Sequence, residues 1–120
     1  MLPMRRQLLI VEDQLAFLEC LRSYLTERGH EVLTASTVPE ALRWLDQTCP
    51  DMALVDLRLA IGHGLGVIQE IVKRQLPIRI VVITGCDDLE MRQQLLAYGV
   101  SDYLFKPIAL RDLDRLFTSY

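Results

Sequence analysis

The sequence predicts a doubly wound α/β fold, a parallel sheet with helices on both faces, and three observations carry that expectation. Short apolar runs alternate five times with amphipathic stretches, and neither repeat nor linker interrupts them. The runs lack polar residues on either face, as strands do when helices cover both sides of a sheet. Several runs end in a charged or hydroxyl residue followed by turn residues, so reactive groups gather at one edge, where open α/β sheets place their sites.

Leu8 to Val11 is the first strand and stops at Glu12-Asp13. From Gln14 to Arg28 the leucines at 15, 18, 21 and 25 mark a helix that Gly29 closes. Val32-Leu33 is a short second strand. Thr37-Val38-Pro39-Glu40 has the form of a capping box opening a second helix, with Ala41, Leu42 and Leu45 on its buried side. Pro50 ends the connection into the strand Met52 to Val55, which delivers Asp56 at its end. Ile61 to Gly66 carries three glycines and reads as a loop able to bend closely around something. Leu65, Ile68, Ile71 and Val72 give a third helix. Ile78 to Ile83 is expected, from its hydrophobicity, to be the central strand, ending in Thr84-Gly85. Asp87 or Asp88 caps a fourth helix, with Leu95 and Leu96 buried and Gly99 as its stop. Ser101 to Phe105 is the last strand, ending in Lys106-Pro107, and Leu110, Leu113 and Phe117 mark a fifth helix.

The totals exclude several classes. At 120 residues the chain is expected to be one domain, and with 51% hydrophobic and 24% charged residues it is globular. A formal charge of −3 gives no electrostatic footprint for nucleic acid or anionic lipid, so direct binding of either is not expected. No apolar run approaches the roughly 20 residues of a membrane helix, and the expected location is cytoplasmic. Cys20, Cys49 and Cys86 are scattered and odd in number, as idle thiols in a reducing compartment are.

Placed on one rim, Glu12, Asp13, Asp56, Thr84 and Lys106 form a chemical set. Clustered carboxylates repel unless a proton or cation compensates, and a hard divalent ion such as Mg²⁺ suits carboxylate, carbonyl and water ligands. Asp56 is then placed to act as a carboxylate nucleophile on phosphorus, with Lys106 supplying positive charge and Thr84 a hydroxyl donor to the phosphoryl oxygens.

With Glu12-Asp13, Asp56, Gly64, Thr84-Gly85, Tyr103 and Lys106-Pro107 in this order at successive strand ends, the chain from about Leu8 to Phe117 resembles the receiver domains of bacterial two-component response regulators. The resemblance implies a five-stranded flavodoxin-like sheet in order 2-1-3-4-5 with five helices; that order is borrowed from known folds of this class, including the chemotaxis receiver used as its standard example. It implies that Asp56 accepts a phosphoryl group from a sensor histidine kinase. Mg²⁺ would be held by Asp13, Asp56 and the backbone carbonyl of Arg58, with Glu12 acting through water. Thr84 and Tyr103 would be the switch residues, altering a face made by the fourth helix, last strand and fifth helix that an effector domain or partner protein reads. The Lys106-Pro107 peptide is expected to be cis. Such a protein is a signalling switch rather than an enzyme, catalysing only its own phosphoryl transfer and slow dephosphorylation. The resemblance also allows a homodimer joined by an Asp102 to Arg111 salt bridge, against the plainer reading of both as solvated charges. Termination at Tyr120, early in a helix, suggests a domain trimmed from a longer regulator, with a stand-alone receiver as the alternative.

Some positions depart from that pattern. Leu59-Ala60-Ile61-Gly62 lacks the proline receivers often carry four residues after the acceptor, and Arg58 and Cys86 lack the carboxylate or amide that commonly orients a hydrolytic water. Three rivals share parts of the set. A haloacid-dehalogenase-like hydrolase would usually have an acid where Arg58 stands. A flavin or nucleotide binder would need a phosphate loop where Glu12-Asp13-Gln14 stands. A receiver-like module that is never phosphorylated would not need the complete acidic, hydroxyl and lysine set.

Overall fold

The computed structural model describes residues 6–85 and 89–118, so the expectations for Cys86 and for Asp87 or Asp88 as a helix cap lie outside the described residues. Strand and helix alternate as β1 (Gln7–Val11), α1 (Leu15–Glu27), β2 (Glu31–Ala35), α2 (Val38–Gln47), β3 (Met52–Asp56), α3 (Leu65–Lys73), β4 (Arg79–Thr84), α4 (Leu89–Ala97), β5 (Asp102–Phe105) and α5 (Leu110–Thr118). The strands form one parallel sheet in the order β2-β1-β3-β4-β5. The middle strand is therefore β3, not the run Ile78 to Ile83. Both runs are buried on two faces, and hydrophobicity marks a strand as interior without saying which interior position it takes.

Alternation along the strands divides the core into two layers. Leu9, Val11, Ala53, Val55, Ile80 and Val82 face α2, α3 and α4. Leu8, Ile10, Met52, Leu54, Val81 and Ile83 face α1 and α5, where Leu18, Leu21, Leu25, Leu113 and Leu116 meet them. Burying side chains of this size contributes about 1.5–3 kcal/mol each, and among the described residues no disulfide adds to it.

Not every predicted core leucine is inside. Leu15 and Leu96 are 71% and 63% exposed, and Val72 and Leu110 are also exposed. Ile71 and Val72, like Leu95 and Leu96, are neighbours separated by about 100° around a helix, so the sheet can bury only one of each pair. Leu15 and Leu110 each open a helix, one turn before its covered stripe begins.

Ends are set locally. Gly29 takes φ +91° just past α1, a left-handed stop that Gly99 repeats after α4. Thr37 caps α2 by accepting a hydrogen bond from the Glu40 amide, but the Glu40 carboxylate reaches back to the amide and hydroxyl of Ser36 rather than completing a closed box. At the end of the sheet opposite the carboxylate rim, His30 stacks on Phe117 with ring centroids 4.5 Å apart, and its Nδ1 is sealed from water without a partner. Burial, and then the charge of Arg6, hold the His30 pKa below the ordinary 6.5. The unfolded chain thus takes up a proton that the folded chain refuses, and the stabilisation present above pH 6.5 is lost as pH falls from there through the lower pKa of the folded state. His30→Gln is expected to flatten this part of the slope in urea titrations. A variant that loses stability on acidification as steeply as wild type would contradict the assignment.

Candidate functional site

Parallel strands bring their C-terminal ends to one edge, and the order places β1, β3, β4 and β5 side by side there. Glu12 and Asp13 follow β1 and Asp56 closes β3. Carboxylate oxygens of these three residues all lie within 4.8 Å of one another. Glu12 is fully buried and Asp56 nearly so, while Asp13 is half-buried at the mouth.

From β5, Lys106 closes the cluster, its Nζ lying 2.8 Å from Glu12 Oε1 and 2.8 Å from Asp56 Oδ2. Its backbone is fixed by a 2.8 Å hydrogen bond from the Lys106 amide to the Thr84 carbonyl, and the Lys106–Pro107 peptide is cis. Gln14 Oε1, 3.4 Å away, and the Phe17 ring, 5.0 Å from Nζ, flank the ammonium.

The electrostatics follow from burial. Desolvation first, then the hydrogen bond with Asp56, raises the Glu12 pKa to about 7, and Lys106 opposes the rise. Burial works against the charge of Lys106, but its bonds to Asp56 and Glu12 leave the pKa raised. The lysine thus stands as the internal counter-ion of a crowded acidic pocket.

The loop after β3 is tied to the same groups. The Arg58 amide donates to Asp56 Oδ1 at 3.1 Å and the Ala60 amide to Asp13 Oδ2 at 2.6 Å. Gly64 is packed so closely beneath the end of β3 that a Cβ there would lie 2.1 Å from the Asp56 carbonyl oxygen. Arg58 pairs with His63 across the loop in an isolated antiparallel bridge. Two buried carboxylates, Glu12 and Asp56, and a third, Asp13, at the mouth form an all-oxygen donor set, which fits a hard divalent cation such as Mg²⁺.

Glu12, Asp13, Asp56 and Lys106 thus converge as expected. Thr84 is buried at the end of β4, one residue beyond Ile83, the register partner of Asp56. Tyr103 is outside the cluster. It is half-buried on β5 beside Phe105, ring centroids 5.3 Å apart, with the Arg92 guanidinium of α4 lying 5.3 Å from its ring. Asp102 is half-buried and paired with Arg79 at 2.6 Å within the chain, and Arg79 also donates to the Leu116 carbonyl near the end of α5. Sequence reasoning missed Gln14, Phe17, Arg79 and Arg92, which act across long stretches of chain and carry no local signature.

The profile of the response regulator receiver domain family matches residues 8–118. The chain belongs to that family. Among relatives, it is 35% identical over 108 residues to the photosynthetic apparatus regulatory protein RegA of Rhodobacter capsulatus, covering 90% of this chain and 59% of RegA. It is 36% identical to the acid tolerance regulatory protein ActR of Rhizobium meliloti, covering 90% of this chain and 56% of ActR. The chain therefore spans rather more than half the length of these curated relatives. A CheY-like receiver domain structure from Methanospirillum hungatei superposes with a TM-score of 0.90 at 28% identity, covering 97% of this chain and 93% of the other. The non-phosphorylated HemR receiver domain of Leptospira biflexa gives 0.86 at 26% identity over 93% and 94%. This receiver is a signalling module of the two-component kind, with the five-stranded flavodoxin-like fold of its family. Receiver domains bind Mg²⁺ through acidic residues, and response regulators work with histidine kinases and effector domains. Among the described residues no helix is long and apolar enough to cross a membrane.

Proposed function

We propose that this receiver is a phosphoacceptor switch in which Asp56 takes a phosphoryl group from the phosphohistidine of a sensor histidine kinase. The observation that carries the reading is the pair of 2.8 Å contacts from Lys106 to Asp56 and Glu12 inside a cluster of three carboxylates. A carboxylate oxygen of Asp56 forms the new bond to phosphorus while the phosphorus–nitrogen bond breaks. The bonding pair stays on the donor imidazole, which takes up a proton as it leaves.

Asp13, Asp56 and the Arg58 carbonyl would hold Mg²⁺ directly and Glu12 would hold it through water. When bound, the ion neutralises carboxylate charge and phosphoryl oxygens together. Lys106 supplies the remaining positive charge, and Thr84 offers a hydroxyl to the phosphoryl group from the end of β4. Movement of Thr84 and Tyr103 then biases a two-state equilibrium read at the face of α4, β5 and α5 by an effector domain or partner protein. The domain itself makes no nucleic-acid contact and works in the cytoplasm, as one receiver domain of a longer regulator. Asp102 is paired with Arg79 inside the chain, so a homodimer joined through Asp102 and Arg111 would have to share or exchange that pair.

The test is incubation with a small acyl phosphate and Mg²⁺ followed by intact mass measurement. Wild type is expected to gain one phosphoryl group and Asp56→Asn none. Equal gain in the two, or no gain in wild type, would overturn the reading. Arg58 is exposed and offers no carboxylate or amide to orient an attacking water, so the phosphoryl group is expected to last minutes rather than seconds in Mg²⁺. A half-life of seconds would contradict that expectation.

A further inference from the structure

We propose that His63 is a positioning residue for the metal-binding side of this pocket, a role that rests on the phosphoacceptor reading only in taking the Arg58 carbonyl as a ligand. The imidazole Nδ1 accepts a 3.1 Å hydrogen bond from the Leu65 amide in the first turn of α3. That fixes the proton of the neutral ring on Nε2 and gives α3 the side-chain cap that Gly64, its N-cap residue, cannot provide. The His63 carbonyl accepts from the Gly66 amide at 2.9 Å, so side chain and backbone of one residue both grip the helix start.

His63 is also the bridge partner of Arg58, and the adjoining hydrogen bond runs from the Gly64 amide to the Leu57 carbonyl at 2.9 Å. The loop between them touches two candidate ligands, Asp56 through the Arg58 amide and Asp13 through the Ala60 amide. Its departing end is held by Asp56, and its returning end is held by His63 against α3. Loss of the imidazole acceptor leaves the returning end held only by the Gly64 and Gly66 amide bonds, so the Arg58 carbonyl is less firmly placed although no ligand has been removed.

Two readouts test this. In metal-free protein, hydrogen exchange at the Leu65 amide is expected to quicken in His63→Ala and to stay slow in His63→Asn, whose shorter side chain can accept from the amide two residues on. Titrated with Mg²⁺ alone by calorimetry, His63→Ala is expected to bind about three- to tenfold more weakly and, having lost one cap, to melt a few degrees below wild type. His63→Asn is expected within about twofold of wild type. Unchanged Leu65 exchange in His63→Ala overturns the proposal whatever the metal does. Wild type that binds Mg²⁺ no better than His63→Ala overturns the role of His63 alone, whereas wild type that binds no Mg²⁺ overturns the metal reading of the pocket and this role with it.

Discussion

Gly64→Ala is expected to destabilise the fold by about 3 kcal/mol or more, the upper end of what overpacking costs. The added Cβ would sit 2.1 Å from the Asp56 carbonyl oxygen and 2.9 Å from both the Asp56 carbonyl carbon and Leu57 Cα. All three are backbone atoms, so no side chain can rotate away, and relief requires shifting the end of β3 against β1 and β4. Gly64 is helical in conformation, with φ −55°, so the cost is one of space rather than of dihedral strain. Gly29 is the opposite case: φ +91° with nothing within 4 Å of an added Cβ. Gly29→Ala should therefore cost only the roughly 1–2 kcal/mol of a left-handed alanine. Urea titrations of the two variants decide the matter, and Gly64→Ala within about 1 kcal/mol of wild type would refute the close-packing argument. Because the displaced atoms belong to Asp56, the proposed acceptor, phosphorylation should fail in any Gly64→Ala that still folds.

Much of this architecture was legible because its signals are local. An apolar run four to six residues long, a glycine after the last helical leucine and a Thr-Val-Pro-Glu helix start each report on themselves, so element order followed from the chain alone. Strand order did not, since periodicity carries no information on which interior run neighbours which; the order 2-1-3-4-5 rested on the family resemblance, and the guess that Ile78 to Ile83 is central was wrong for the same reason. The candidate site was legible because parallel strands deliver their last residues to one edge, turning Glu12, Asp56 and Lys106 into neighbours although 44 and 50 residues separate them along the chain.

Partners that no strand end announces were not legible. Arg79 opens β4 and Asp102 opens β5, and nothing in either local sequence says that they meet; their pairing depends on β4 and β5 lying in register, Val81 opposite Asp102. The Tyr24 hydroxyl and Arg28 both reach Asp114 on α5 for the same kind of reason. His63 accepts a hydrogen bond from a helix amide two residues on, a contact that many side chains can make and that sequence alone does not single out.

Lys106→Met is expected to destabilise the metal-free protein by about 2–3 kcal/mol near pH 8, a cost that shrinks near pH 6. Methionine keeps most of the volume of the lysine stem but leaves Glu12 and Asp56, both almost completely buried, in contact without their shared ammonium. Glu12 sets the sign of the pH effect. Its pKa rises from 4.5 unfolded to about 7 folded, so between those values the folded chain holds a proton the unfolded chain has released. The associated stabilisation is complete below 4.5 and is lost as pH rises through about 7. A protonated Glu12 can donate to Asp56, which softens the loss of Lys106 at lower pH; an ionised one cannot. Excess Mg²⁺ should recover more stability in the variant than in wild type, because the ion relieves a repulsion that wild type has already met with its lysine. Phosphoryl transfer should nonetheless fall about a hundredfold, since a divalent ion on the carboxylates does not replace the donor aimed at the phosphoryl oxygens. Urea titrations in chelator and in Mg²⁺ at the two pH values would separate these effects. A variant as stable as wild type at the higher pH in chelator, or one stabilised by Mg²⁺ only as much as wild type, would mean that Lys106 is not the counter-ion of this pocket.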